Sequence, residues 1–126
     1  MTDQIADLLV RIRNISMVGK YELTVSFSKM KEAILNILKN EGFIESYSVA
    51  EEDNFKIIKI KISAKKTPTH LKQVSKPGHR IYSSAKDIKT PLRGFGLLVV
   101  STSAGIISAK EANKKGLGGE LICEVW

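Results

Sequence analysis

The sequence predicts an α/β chain of the α+β type, built as two small lobes. Residues 1–66 form a helix–strand–helix–strand–strand lobe, and residues 67–126 form a mostly β lobe with one short helix. Three observations carry this expectation. Apolar residues recur at helical spacing in two early segments. The segments after each of them alternate with period two. A polar stretch with a proline, "SAKKTPTH" at 63–70, reads as the linker between the halves.

In the first half, Ile5, Leu8, Leu9, Ile12 and Ile15 predict an amphipathic helix over 3–17, capped by Thr2 with Asp3 in its first turn. "YELTVSF" predicts a half-buried strand with Tyr21, Leu23, Val25 and Phe27 facing inward. Ser28 caps a second helix whose stripe is Met30, Ala33, Ile34, Ile37 and Leu38, and Gly42 stops it. "FIESYSV" and Phe55–Ile62 read as two strands joined by the turn "EEDN". Ile58, Ile60 and Ile62 share a face, while Phe55 and Ile57 are out of phase with it, which predicts a bulge or a two-sided start.

In the second half, a short strand beginning at Val74-Ser75 should turn at "KPGH" through a type II bend and return as "RIYSS". "GFG" leads into a buried strand, "LLVVSTS". Ser108 and Glu111 form a capping-box pattern for a helix over 108–115. After Gly116, Gly118 and Gly119, "ELICEVW" closes the chain as a strand with Leu121, Cys123 and Val125 on one face and Ile122 on the other.

The composition, 43% hydrophobic and 26% charged, is that of a folding chain, and the net charge of +7 calls for an anionic partner. The charge is uneven. Residues 1–66 hold 11 Lys/Arg against 9 Asp/Glu, and residues 67–126 hold 9 against 4. One cysteine permits no internal disulfide, which predicts a reducing, cytosolic compartment. No secretory signal is expected at the N-terminus, and no apolar run approaches the roughly 18 residues that would cross a bilayer.

The hydroxyl cluster Ser101-Thr102-Ser103 suggests a nucleophile, a phosphate cradle or a nucleic-acid reader. A serine nucleophile needs a base and an orienting acid, but His70 and His79 fall in a linker and a turn, and G-x-S-x-G is absent. Neither a phosphate-binding G-x-x-x-x-G-K-[ST] nor a full dinucleotide fingerprint occurs. One Cys and two separated His offer no metal-ligand spacing, and Cys123 alternates with core residues. No catalytic residue, metal or cofactor is expected.

An RNA-binding surface combines cations, a stacking ring and short polar groups. The second half supplies all three. Lys76, Arg80, Lys86, Lys89 and Arg93 can neutralise phosphate, or each can be a solvated surface charge. Tyr82 is either a stacking ring or a core tyrosine. Ser101, Thr102 and Ser103, with Gly105 ending the loop, are short enough for close approach, or they simply close a turn or cap the next helix. Gly118 and Gly119 either admit another backbone or simply turn the chain. Glu120 would repel phosphate, so it must accept from a base amine or hold a neighbouring Ser or Lys in place.

Four stretches, in order, carry a family resemblance: "TDQIADLLVRIRN", "FSKMKEAILNILKNEGFI", "VSKPGHRIY" and "STSAGIISAKEANKKGLGGELICEVW". Together they strongly resemble bacterial small-subunit ribosomal protein eight over nearly the whole chain. The resemblance implies a two-lobe cytoplasmic protein that binds the central domain of small-subunit ribosomal RNA early in assembly, beside other small-subunit proteins. It implies that the C-terminal lobe is the main reader, with Ser101, Thr102 and Ser103 at the contact and Tyr82, Gly119 and Glu120 nearby. Thr2, Asp3, Lys29 and Lys31 are the candidates for further contacts from the N-terminal lobe. Some family members also repress their own operon through messenger RNA that mimics the ribosomal site.

Overall fold

A computed structural model describes residues 4–68, 70–88 and 96–126. Thr2, Asp3, Lys89 and Arg93 lie outside the described residues, as do Gly94 and Phe95 of "GFG".

The first half runs α1 (Gln4–Met17), β1 (Glu22–Ser26), α2 (Lys29–Asn40), β2 (Ile44–Glu52) and β3 (Phe55–Ile62), as expected. The strands form an antiparallel sheet in the order β1-β3-β2. Ile5, Leu8, Leu9 and Ile12 bury one stripe of α1. In α2 the Ser28 hydroxyl accepts from the Lys31 N–H at 3.1 Å, and Gly42 takes φ 85° just past the helix end. The buried face of α2 differs from the expected stripe. It is Lys31, Ile34, Leu35, Ile37 and Leu38, while Met30 and Ala33 are half-buried. The helix packs against both β2 and β7, a strand of the second half (Gly105–Ser108), so its apolar arc is wider than one stripe.

Tyr21, expected inside, is exposed. β1 starts one residue later, and β3 ends at Ile62, whose N–H bonds to the Tyr21 carbonyl at 2.7 Å. The β2–β3 turn is only Asp53-Asn54, with φ 52° and 69°, the left-handed pair that a two-residue hairpin favours. Glu51 and Glu52, expected in the turn, belong to β2. β3 runs without a break from Phe55, so its start is two-sided, and the register shift lies in β2 between Ile44 and Ser46.

The second half runs β4 (Leu71–Gln73), β5 (Tyr82–Ser83), β6 (Leu97–Thr102), β7, α3 (Ala109–Lys115) and β8 (Gly119–Val125). Its antiparallel sheet has the order β4-β8-β6-β7, with β5 also on β8. The expected pairing of 74–75 with "RIYSS" is not what forms. β4 and β5 follow one another along β8, joined by a hairpin in which Lys76 and His79 exchange backbone bonds at 2.9 and 3.0 Å. Gly78 is not in the left-handed region, so the expected type II bend is absent. Strand β7 was not foreseen, because "GIIS" is short and its Ser103-Ala104 turn carries no hairpin glycine pair. α3 is capped by Ser108, whose hydroxyl accepts from the Glu111 N–H, and ends at Gly116 with φ 66°.

β6 is buried on both faces. Leu97 and Val99 join a core that also contains Ile5, Leu8, Leu35, Ile58 and Ile60, whereas Leu98 and Val100 join Ile107, Ala109 and Ala112 in a second core under α3. The first core is thus shared between the two halves. The alternation expected of Leu121, Cys123 and Val125 fails at one point. The register jumps from Val99↔Cys123 to Val100↔Leu121, leaving Ile122 as an extra residue in β8. A bulge resets the alternation, so Leu121 packs into the second core while Ile122, Cys123 and Val125 stay in the first.

Burial pushes the Cys123 thiol up to about 12, with the Glu124 charge adding to it. The thiol ionises more readily unfolded than folded. Its contribution to stability is therefore intact below about pH 9 and is lost as pH rises toward about 12. The Cys123→Ala chain should show a shallower loss of stability over that range in denaturant titrations. Equal slopes for the two chains would sink this expectation.

Candidate RNA interface

Pairing along β8 gathers the expected site residues. Glu120 lies opposite Tyr82 on one side and Ser101 on the other, so Tyr82, Glu120 and Ser101 form a row across β5, β8 and β6. Tyr82 is 69% exposed, which decides for the surface ring over the core tyrosine. The Glu120 carboxylate accepts from the Arg80 guanidinium at 3.1 Å. The side chain it holds is therefore Arg80 rather than the serine or lysine expected, and Arg80 remains 47% exposed.

The three hydroxyls do three different things. The Thr102 hydroxyl donates to the Gly105 carbonyl at 2.9 Å and accepts from the Ala104 N–H at 3.1 Å, so it closes the β6–β7 turn. Ser103 is exposed at the tip and Ser101 is half-buried, and neither hydroxyl has a partner among the described residues. Gly105, at φ 106°, completes the turn in a conformation that other residues adopt at a cost.

Gly118 and Gly119 do admit a close backbone, but it is the chain's own. A Cβ on Gly118 would come within 2.5 Å of the Ser83 carbonyl oxygen, and one on Gly119 would overlap that of Ser101. The two glycines let β5 and β6 close on β8 where the row forms.

Lys76 and Lys86 are exposed, Lys76 in the 76–79 turn and Lys86 in the turn that Ser84 and Asp87 close. Lys29 is exposed in the first turn of α2. The adjacent Met30 and Ile5 of α1 line a recess with Ser101, Glu120 and Arg80, so the first half reaches the site through apolar residues that polarity-based reading passes over. Lys31 does not belong to this set. It is 4% exposed, and its ammonium donates to the Ser26 hydroxyl at 2.9 Å and the Ser26 carbonyl at 3.2 Å. Lys31→Met, which keeps the stem, should cost about 0.5–1.5 kcal/mol of stability, the net worth of a hydrogen bond, because water can reach the exposed Ser26 in its place. The salt slope of RNA binding should stay unchanged, whereas Lys29→Ala should lower it by about 1. A lowered slope in Lys31→Met would return that residue to the site.

Sequence reading also missed Ser75. Its buried hydroxyl accepts from the Ile81 N–H at 2.9 Å and donates to the Ile81 carbonyl at 3.2 Å, clamping the hairpin that carries Lys76 and Arg80. Arg13 and Lys72 share a groove with Lys76, and only tertiary packing puts them together. The nucleophile readings find no support. Cys123 is sealed in the core, and His70 is stacked on Trp126 at 3.7 Å with its ring nitrogen 3.3 Å from Glu124.

Residues 3–126 match the family described as ribosomal protein S8. The chain belongs to the ribosomal protein S8 family. It is similar to small ribosomal subunit protein uS8 of Dictyoglomus thermophilum, 49% identical over all of this chain and 98% of that protein. It is 43% identical to uS8 of Moorella thermoacetica, over the whole of both chains. It is also 43% identical to uS8c of Tetradesmus obliquus, over all of this chain and 99% of that protein. The S8 family is one of structural proteins rather than enzymes, and the three helices and antiparallel sheets of the described residues have the α+β character expected of it.

Proposed function

We propose that this chain is a structural constituent of the small ribosomal subunit in a cytoplasmic ribosome and binds the central domain of small-subunit ribosomal RNA directly. The C-terminal lobe, residues 67–126, is the reader. The observation that carries this is the row Tyr82–Glu120–Ser101, which holds an exposed ring, and a hydroxyl with no partner among the described residues, on a rigid sheet beside the Ser103 tip. Tyr82 offers a stacking face, Ser101 and Ser103 reach base edges and 2′-hydroxyls, and Arg80, Lys76 and Lys86 meet phosphates. Thr102, Gly105, Gly118, Gly119 and Glu120 hold these groups in place. Lys29 is the contact from the first lobe. A messenger RNA that mimics the ribosomal site would meet the same donors.

The test is a filter-binding titration with small-subunit ribosomal RNA, bulk transfer RNA as competitor, and two salt concentrations. Ser103→Ala should weaken selective binding by about 1 kcal/mol, as expected for one net hydrogen bond, with little change in salt slope. Tyr82→Ala should weaken it by about 1–3 kcal/mol through lost stacking. Equal, weak binding of every RNA by all three chains would overturn the reading. An operon messenger RNA that fails to compete with ribosomal RNA would remove the second partner alone.

A further inference from the structure

The two free edges of the first sheet are finished differently. On β1 two of the outward carbonyls are occupied: the Arg11 guanidinium donates to Thr24 at 2.9 Å and the Lys31 ammonium to Ser26 at 3.2 Å. On β2 nothing comparable occurs. The two-residue turn makes Glu52↔Phe55, and then Ala50↔Ile57 and Ser48↔Lys59, the pairs that exchange backbone bonds. The N–H and C=O groups of Tyr47, Val49 and Glu51 therefore point away from β3, and none has a hydrogen-bond partner among the described residues. β2 is nine residues long, with Val49 40% exposed beside the edge and Phe55 72% exposed at its end. An open edge of that length is a template for another strand.

Charge selects the occupant. β2 carries Glu45, Glu51 and Glu52, Asp53 follows, and the strand has no lysine or arginine. Lys61 answers Glu45 at 3.6 Å, while Glu51 and Glu52 have no ion pair among the described residues. The outer strand itself carries only acids, while Lys56, Lys59 and Lys61 stand one strand further in, opposite Glu51, Ser48 and Ser46. A strand added outside β2 would meet the acids first, which disfavours phosphate there. A second copy pairing antiparallel about Val49 would set Asp53 against Glu45, and pairing about Ser48 would set Glu51 against Glu45. A basic extended peptide meets both demands, with main-chain bonds to the edge and cationic side chains to the carboxylates.

We propose that the free edge of β2 takes up an extended, lysine- or arginine-rich segment of a neighbouring protein as a fourth strand of the first sheet. This goes beyond RNA binding and rests on the chain's place in the small subunit. Sedimentation, which reads incorporation, keeps the two separable. The experiment puts photoreactive benzoylphenylalanine at position 49 of the full chain, assembles it into small subunits, irradiates, and sequences the attached segment. The expected result is attachment to a lysine- or arginine-rich protein segment. The yield should fall about tenfold when Glu51→Lys and Glu52→Lys are made together, since like charges now face each other, with incorporation unchanged. Attachment to RNA, to a second copy or to a segment without basic residues would overturn the proposal. So would no attachment in fully incorporated subunits, or a yield indifferent to the charge reversal.

Discussion

Truncating Leu35 to alanine is expected to lower the free energy of unfolding by about 2–5 kcal/mol, the range for a fully buried leucine whose site cannot collapse. Leu35 has no exposed surface and sits in the core that both halves share. Its helix packs on β2 of the first sheet and β7 of the second, so little around it can move in to fill the void. The same substitution tests the boundary between residues 66 and 67. Trp126 is the one tryptophan and lies in the second half, so its fluorescence reports that half alone. The shared core predicts a single transition in which Trp126 fluorescence and far-ultraviolet circular dichroism shift together in Leu35→Ala. A Trp126 transition that stays at its wild-type midpoint would mean that the halves unfold as independent units.

Gly119→Ala is expected to cost about 1–3 kcal/mol, the usual range for forcing extra atoms into a packed site, and to fall at the upper end. The obstructing atom is the Ser101 carbonyl oxygen, part of the backbone, and no side chain can rotate away to make room. Relief requires β6 to part from β8 where Ser101 pairs with Glu120. RNA selectivity should therefore fall along with stability, and amide exchange should quicken at Ser101 and Thr102. A folded Gly119→Ala chain with wild-type stability and selectivity would show that this close approach is not needed. Ser103→Ala is the control, since it changes selectivity without disturbing the sheet.

Much of this was legible in the residues. The two long helices, the β2–β3 hairpin, the doubly buried "LLVV" strand and the Ser108 cap are local patterns, and local propensity and tertiary packing agree there. The family resemblance rested on the same local stretches. The hydroxyl loop and Tyr82 could be named as candidates because residue type alone limits what they can do.

The remainder depended on neighbours distant in sequence. Lys31 reads as a surface cation until the corner beside Ser26 closes over it. Leu35 lies off a single-sided stripe and becomes core only because α2 has sheet on two sides. Leu121 alternates correctly with Cys123 on paper, and the extra residue in β8 sends it to the other core. The glycine pair declares that some backbone comes close, and only pairing shows that the backbone is Ser83 and Ser101. Periodicity reports which faces are apolar, because side-chain direction repeats along a helix or strand. It carries no information about which element covers a face, since contacts between distant segments are set by the sheet order and register that the whole chain adopts. The sequence by itself determined most of the elements, though not β7 or the bounds of β4, together with the charge and the chemistry on offer. The tertiary structure decided which of those groups face outward together.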